Sequence, residues 1–240
     1  DEERKEGTLV HNYAVAGGDL KDHINYFFYI LTSFDVEMIC IDNAGYQFLD
    51  SCNESENFVN AGINLKFIEF DSVKEGIDYT KEIRKCKTSY NKSNYRICFK
   101  QNFTSEFIRK ANEHLQACID YKHIWFASRT TANGSAFDKQ NNTLINLKFT
   151  GAETVSDLIE TQDALVYQTK RQCALIEVKS TAKGTQTFDL PQHLKRSTSA
   201  NRARRDNYTA LMLANWALKC YFDLRQKKDD FSTTFLPRMV

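Results

Sequence analysis

Short apolar runs of strand length alternate along this chain with segments whose apolar residues recur at helical spacing, and that alternation leaves few architectures open. Thr8–Val15 reads as a strand running into Gly17-Gly18, and Leu20, Ile24, Phe27, Phe28 and Leu31 then fall on one helical face. Val36–Ile41 is a second strand-length run that stops abruptly at Asp42-Asn43-Ala44-Gly45, ahead of a helix expected near Tyr46. Ser51-x-x-Glu54 has capping-box spacing but falls inside that helix, whereas Ser72-x-x-Glu75 is placed to open a polar helix towards Tyr90. Between them Ile63–Phe70 alternates like a strand. Phe107, Ile108, Ala111, Leu115, Cys118 and Ile119 mark an amphipathic helix, and Ile124–Ala127 a short strand. Arg129–Gly151 is rich in Asn, Thr, Ser and Gly without periodicity and reads as a loop. Val155, Leu158, Ile159, Leu165 and Val166 suit a helix; Ala174–Ser180 and Thr185–Leu190 flank a turn and read as a β-hairpin. A final helix is expected from about Ala203 to Leu224, with 226–240 as a tail. The order β-α-β-α-β-α…β-β-α predicts an α/β fold with a mixed sheet flanked by helices.

Two prolines and nine glycines in 240 residues leave little material for flexible linkers, so a single domain is expected. No apolar run approaches the roughly 18 residues that span a bilayer. The charged start Asp1-Glu2-Glu3-Arg4-Lys5, with no initiator Met, reads as a piece of a longer polypeptide. Seven cysteines are scattered, odd in number and never spaced C-x-x-C, which argues against a disulfide framework or a structural zinc site and for small core residues.

Chemistry concentrates at two acids and one basic segment. Asp42 directly follows an apolar strand, where α/β sheets place their ligand sites, and folding alone gives no reason to bring a charge there. The alternative is that Asp42 caps the following helix. Asp206 opens the last helix, where the dipole favours an anion, so capping competes there too. The stretch Lys179–Arg205 carries Lys179, Lys183, Lys195, Arg196, Arg202, Arg204 and Arg205 against a single acid, Asp189, in a chain of net charge +1. Such a block suits phosphate contacts, or else forms a solvated face. Hydrolysis of a phosphodiester by two divalent ions needs carboxylates converging from different elements, and hard oxygen ligands favour Mg²⁺ or Mn²⁺. Glu177 shares a strand face with Lys179 and is expected in a cross-strand ion pair; Asp189 and His193 are expected in turn and surface roles, and Asp50 facing solvent. The five histidines show no metal-ligand spacing, and no phosphate loop of the G-x-x-x-x-G-K-[ST] type is present.

Ile41-Asp42-Asn43-Ala44-Gly45-Tyr46-Gln47-Phe48 resembles the acid-bearing strand of the large terminase subunits of tailed bacteriophages. Cys173–Lys179, Gly184–Pro191 and Arg202–Thr209 are similar to the C-terminal nuclease region of one subgroup of that family, and the likeness spans roughly Leu9 to Leu224. The resemblance implies a ribonuclease H-like fold and a metal-dependent DNA endonuclease using two Mg²⁺ or Mn²⁺ ions to cut concatemeric viral DNA during packaging. Its setting would be the host cell cytoplasm during virion assembly. The implied partners are double-stranded DNA, an ATPase domain in the parent chain, the portal and the small terminase subunit, with no membrane. Of the family's three main acids, two correspond to Asp42 and Asp206. The first lies on an opening strand ahead of Leu9, and Asp1, Glu2 and Glu3 are poor substitutes, so that strand and the upstream ATPase domain are expected to lie outside this chain. Some relatives carry a histidine one turn before the last acid, where this chain has Arg202 and Ala203. Two other readings compete: a non-catalytic DNA-binding or docking module, and another ribonuclease H-like nuclease such as a junction resolvase.

Overall fold

The structure is a computed structural model and describes residues 5–13, 18–34, 36, 38–42, 45–70, 95–127, 155–180, 186–195 and 205–232. Within them the chain is a mixed α/β assembly of short strands and helices. The strands are β1 (Gly7–Leu9), β2 (Ile39–Asp42), β3 (Asn64–Phe70), β4 (Tyr95–Gln101), β5 (Ile124–Phe126), β6 (Glu177–Ser180) and β7 (Gln186–Asp189). The helices are α1 (Leu20–Ser33), α2 (Tyr46–Glu54), α3 (Glu56–Ala61), α4 (Ser105–Asp120), α5 (Val155–Leu175), α6 (Gln192–Lys195) and α7 (Asp206–Ser232).

Among the described residues the strands form three pieces rather than one mixed sheet. β2, β4 and β3 make a parallel sheet in that order, β1 pairs in parallel with β5, and β6 and β7 form the antiparallel hairpin. β4 is the central strand of the larger sheet, and the chain pattern above does not mark it. The first strand stops at Leu9 rather than Val15, and the second starts at Ile39 and takes in Asp42 as its last residue. The last helix starts at Asp206 and runs to Ser232, well into the expected tail. The helix expected after Ser72 and the loop expected at Arg129–Gly151 lie outside the described residues.

Side-chain alternation along β2 divides the core. Ile39 and Ile41 pack with a cluster of Ile24, Leu31, Leu49, Cys52, Phe58, Leu65 and Cys98, supplied by α1, α2, α3 and the sheet. Cys40 points the other way, into a cluster built by α4 and α7 around Phe107, Ala111, Leu115 and Leu211–Leu213. β1 and β5 reach the same second cluster through Leu9, Ile124 and Phe126. The helices begin where their caps dictate: Asp19 accepts from the Lys21 amide, and Thr104 from the Phe107 amide at 3.1 Å. α3 ends at Gly62 with φ 64°, a left-handed turn that suits glycine. All six described cysteines are free, and Cys52 and Cys98 are fully buried, as small core residues should be.

Candidate active site

Asp42 is the last residue of β2, opposite Gln101 in the β4 register. By alternation it shares Cys40's side of the sheet, the side that α7 covers. Burial pushes the Cys40 thiol up to about 12, with the Cys220 thiol and then the Asp42 carboxylate adding to the rise. Asp42 Oδ1 accepts the Gly45 amide at 2.9 Å; Gly45 itself is the N-cap of α2, which has no side-chain cap bond. The turn is tight: a Cβ on Gly45 would stand 3.2 Å from the Cβ of Ile41. The second carboxylate oxygen accepts no hydrogen bond among the described residues.

Asp206 is the first residue of α7 and is exposed. Its position is fixed by the residues just after it. The Tyr208 amide donates to Gln172 Oε1 at 2.9 Å, and Asn207 Nδ2 to Gln168 Oε1 at 3.3 Å, so two glutamines of α5 hold the first turn. The Tyr208 hydroxyl donates to Asn112 Oδ1 of α4 inside the core, and burial pushes this phenol well above its ordinary value. Three helices therefore set where the acid stands. β2 and α7 pack on one another, so Asp42 and Asp206 stand on neighbouring elements. Among the described residues no three His, Cys, Asp or Glu side chains gather as a metal-holding group.

The basic segment is internally engaged wherever it is described. Lys179 pairs with Glu177 of its own strand at 2.7 Å, not across the hairpin; the residue opposite Glu177 is Asp189, another acid. Asp189, expected in a turn role, is instead the hub of these contacts. Its Oδ1 accepts the Leu190 amide at 2.8 Å and Arg205 at 3.3 Å, while Oδ2 receives Lys195. Burial raises this carboxyl, but Lys195, the Leu190 amide and Arg205 together draw it below its ordinary value. Arg205 also donates to the Phe188 carbonyl at 2.8 Å. Asp189 thus ties the hairpin exit, α6 and the residue preceding Asp206 into one unit; its place at a strand end before Leu190-Pro191 was the available signal. His193 is exposed and Asp50 half-buried. Lys183, Arg196, Arg202 and Arg204 lie outside the described residues.

Compared with known protein families, characterised proteins and solved structures, the chain matches none of them.

Proposed function

We propose that this chain is the ribonuclease H-like nuclease domain of a viral genome-packaging terminase, a divalent-metal-dependent endonuclease acting on double-stranded DNA. The observation that supports the reading is that the strand ending in Asp42 packs on the helix that Asp206 opens. Among the described residues the Gly45 amide donates to one Asp42 oxygen and no donor meets the other. Two carboxylates are the hard oxygen donors that Mg²⁺ or Mn²⁺ takes, and such ions would activate water and offset charge at the leaving oxygen. A two-ion site needs more carboxylate oxygens than these two supply, which agrees with a third acid on an opening strand. Among the described residues β2 and β1 are each hydrogen-bonded along one edge only. A groove of about 480 Å³ beside β2 is lined by Met38, Cys40 and one side of α7, including Leu218, which abuts Gly7 of β1. The cations of Lys179–Arg205 would meet DNA phosphates, with the ATPase domain, portal and small terminase subunit as partners of the parent protein in the host cytoplasm.

The deciding experiment is cleavage of linear and supercoiled DNA by the full-length protein with Mn²⁺, comparing the unsubstituted chain with Asp42→Asn and Asp206→Asn. Loss of cutting in both variants, with DNA binding retained, is expected. Cutting at the normal rate by Asp42→Asn ends the catalytic assignment and leaves a DNA-binding module. Cutting confined to branched substrates favours a junction resolvase.

A further inference from the structure

Beneath the β6–β7 hairpin lies a cavity of about 400 Å³ that the nuclease reading does not use. Its walls are apolar: Leu115 and Ile119 of α4, Phe126 of β5, and Ile176 and Phe188 from the hairpin side. Its polar lining groups are the buried Asn112 and Tyr208, the half-buried Cys173 and the exposed Gln116, Asp120 and Lys170. At the inner end Asn112 and Tyr208 are both buried and already bonded to each other. At the rim stands Lys170 of α5, its ammonium 5.3 Å from the centroid of the Phe126 ring. Lys170 takes part in no ion pair among the described residues, although Asp120 also stands on the rim.

We propose that this cavity is a binding site for a small amphipathic anion, with a ringed apolar body inside and its charged group at Lys170. Apolar pockets of this size with a few convergent polar groups are the usual form of small-molecule sites. An apolar cavity of about 150 Å³ accepts one benzene, so this one has room for a body of about two to three rings. Such a body would displace only poorly held water from Leu115, Ile119 and Phe188. The inner hydrogen bonds are already made, so no donor or acceptor is left unsatisfied by an apolar occupant. At the rim an anion gains the Lys170 ammonium, which the Phe126 face already holds in place. Asp120 confines the charged group to the Lys170 side. Because Tyr208 forms part of the wall, an occupant would also touch the residue that anchors the first turn of α7.

The test is fluorescence titration of the intact chain with anilinonaphthalene sulfonate and with phenylnaphthylamine, which has the same rings without the anion. One saturable site per chain is expected, with the sulfonate about two- to fivefold tighter at low salt, a preference that shrinks as salt rises. Lys170→Glu should erase that preference while leaving the uncharged dye bound. Ala174→Trp, which fills the cavity, should abolish binding of both dyes. Val178→Trp, at an exposed hairpin position, is the second blocking variant, and near-ultraviolet circular dichroism confirms that each variant is folded. Equal affinity for the two dyes, a sulfonate preference that survives Lys170→Glu, or undiminished binding in a folded blocking variant overturns the proposal.

Discussion

Asp42 offers a way to separate a carboxylate's part in folding from any part in chemistry. The Gly45 amide needs an acceptor, and Asn supplies one as well as Asp does. Asp42→Asn therefore keeps the 2.9 Å hydrogen bond and loses only the charge facing the start of α2, about 0.3–1 kcal/mol. Asp42→Ala loses the charge and the acceptor together, adding about 0.5–2 kcal/mol. For a chain of this size each kcal/mol moves the unfolding midpoint by about 2–4 °C. Calorimetry should then show a drop of about 1–4 °C for Asn and about 2–12 °C for Ala, with the charge part fading in high salt. Metal linkage adds the second measurement. If Mn²⁺ binds at Asp42, the ion at a hundred times its dissociation constant stabilises the unsubstituted protein by about 2.7 kcal/mol. That increment should vanish in both variants. Equal destabilisation by Asn and Ala would refute the hydrogen-bond part of the reasoning. An Mn²⁺ increment that persists undiminished in Asp42→Asn would refute the metal part, leaving the residue a cap.

Tyr208→Phe should cost about 1–3 kcal/mol in urea unfolding, because it leaves the buried Asn112 oxygen without a donor; pairing it with Asn112→Leu should recover part of the loss. The Asp189 carboxyl lies below its ordinary value when folded, so its contribution is complete above the unfolded pKa and disappears as pH falls through the folded one. Asp189→Asn should flatten the stability curve on the acid side, with little pH dependence of the difference above about pH 5. His114 is held below its ordinary value by burial and then by Lys219, so it favours the folded state fully above the unfolded pKa of about 6.5 and less as pH drops below it. Substituting His114 by Gln should remove that part of the slope between about pH 7 and pH 5 in urea titrations. Arg202→Ala and Arg204→Ala should each lower the salt dependence of DNA binding by about one unit of log-log slope if they contact phosphate. Lys195→Ala, whose charge Asp189 already takes, should change stability more than that slope.

Elements defined by local pattern were legible; those defined by long-range pairing were not. The stripe of Ile24 and Leu31, the amphipathic run from Phe107 to Ile119 and the antiparallel hairpin all follow from periodicity and turn chemistry within about twenty residues. β4 was missed although Tyr95, Ile97 and Phe99 alternate with Arg96, Cys98 and Lys100 in sequence, because a strand central to a parallel sheet is specified by partners far along the chain. The early end of β1 has the same origin: apolar residues continue past Leu9, but the strand extends only as far as its pairing with β5. At the site, the position of Asp42 at a strand end and of Asp206 at a helix start could be read from the chain. The roles of Asp189, Gln168 and Gln172 could not, since each acts through contacts between elements widely separated in sequence. Charge counting along the chain does not show ion pairing: Glu177 lies just outside the stretch, and with Asp189 it engages its three described cations, Lys179, Lys195 and Arg205.

That engagement bears on how a phosphate-binding surface could work here. Lys195 and Arg205 are held by Asp189 at the exit of the hairpin, which fixes where Asp206 begins α7. A cation spent on orientation in this way gives little to DNA affinity, because contact with phosphate would have to compete with an ion pair already made. The same bonds hold the two cations in place, so they cost little side-chain entropy if a phosphate approaches alongside Asp189 rather than in place of it. A pair of partly neutralised, fixed cations beside a fixed acid is better suited to positioning a backbone than to gripping one. On this view most of the affinity should come from Lys183, Arg196, Arg202 and Arg204, and the register from Lys195 and Arg205. Binding strength and cleavage position would then be separable by mutation, which a uniformly basic face could not provide.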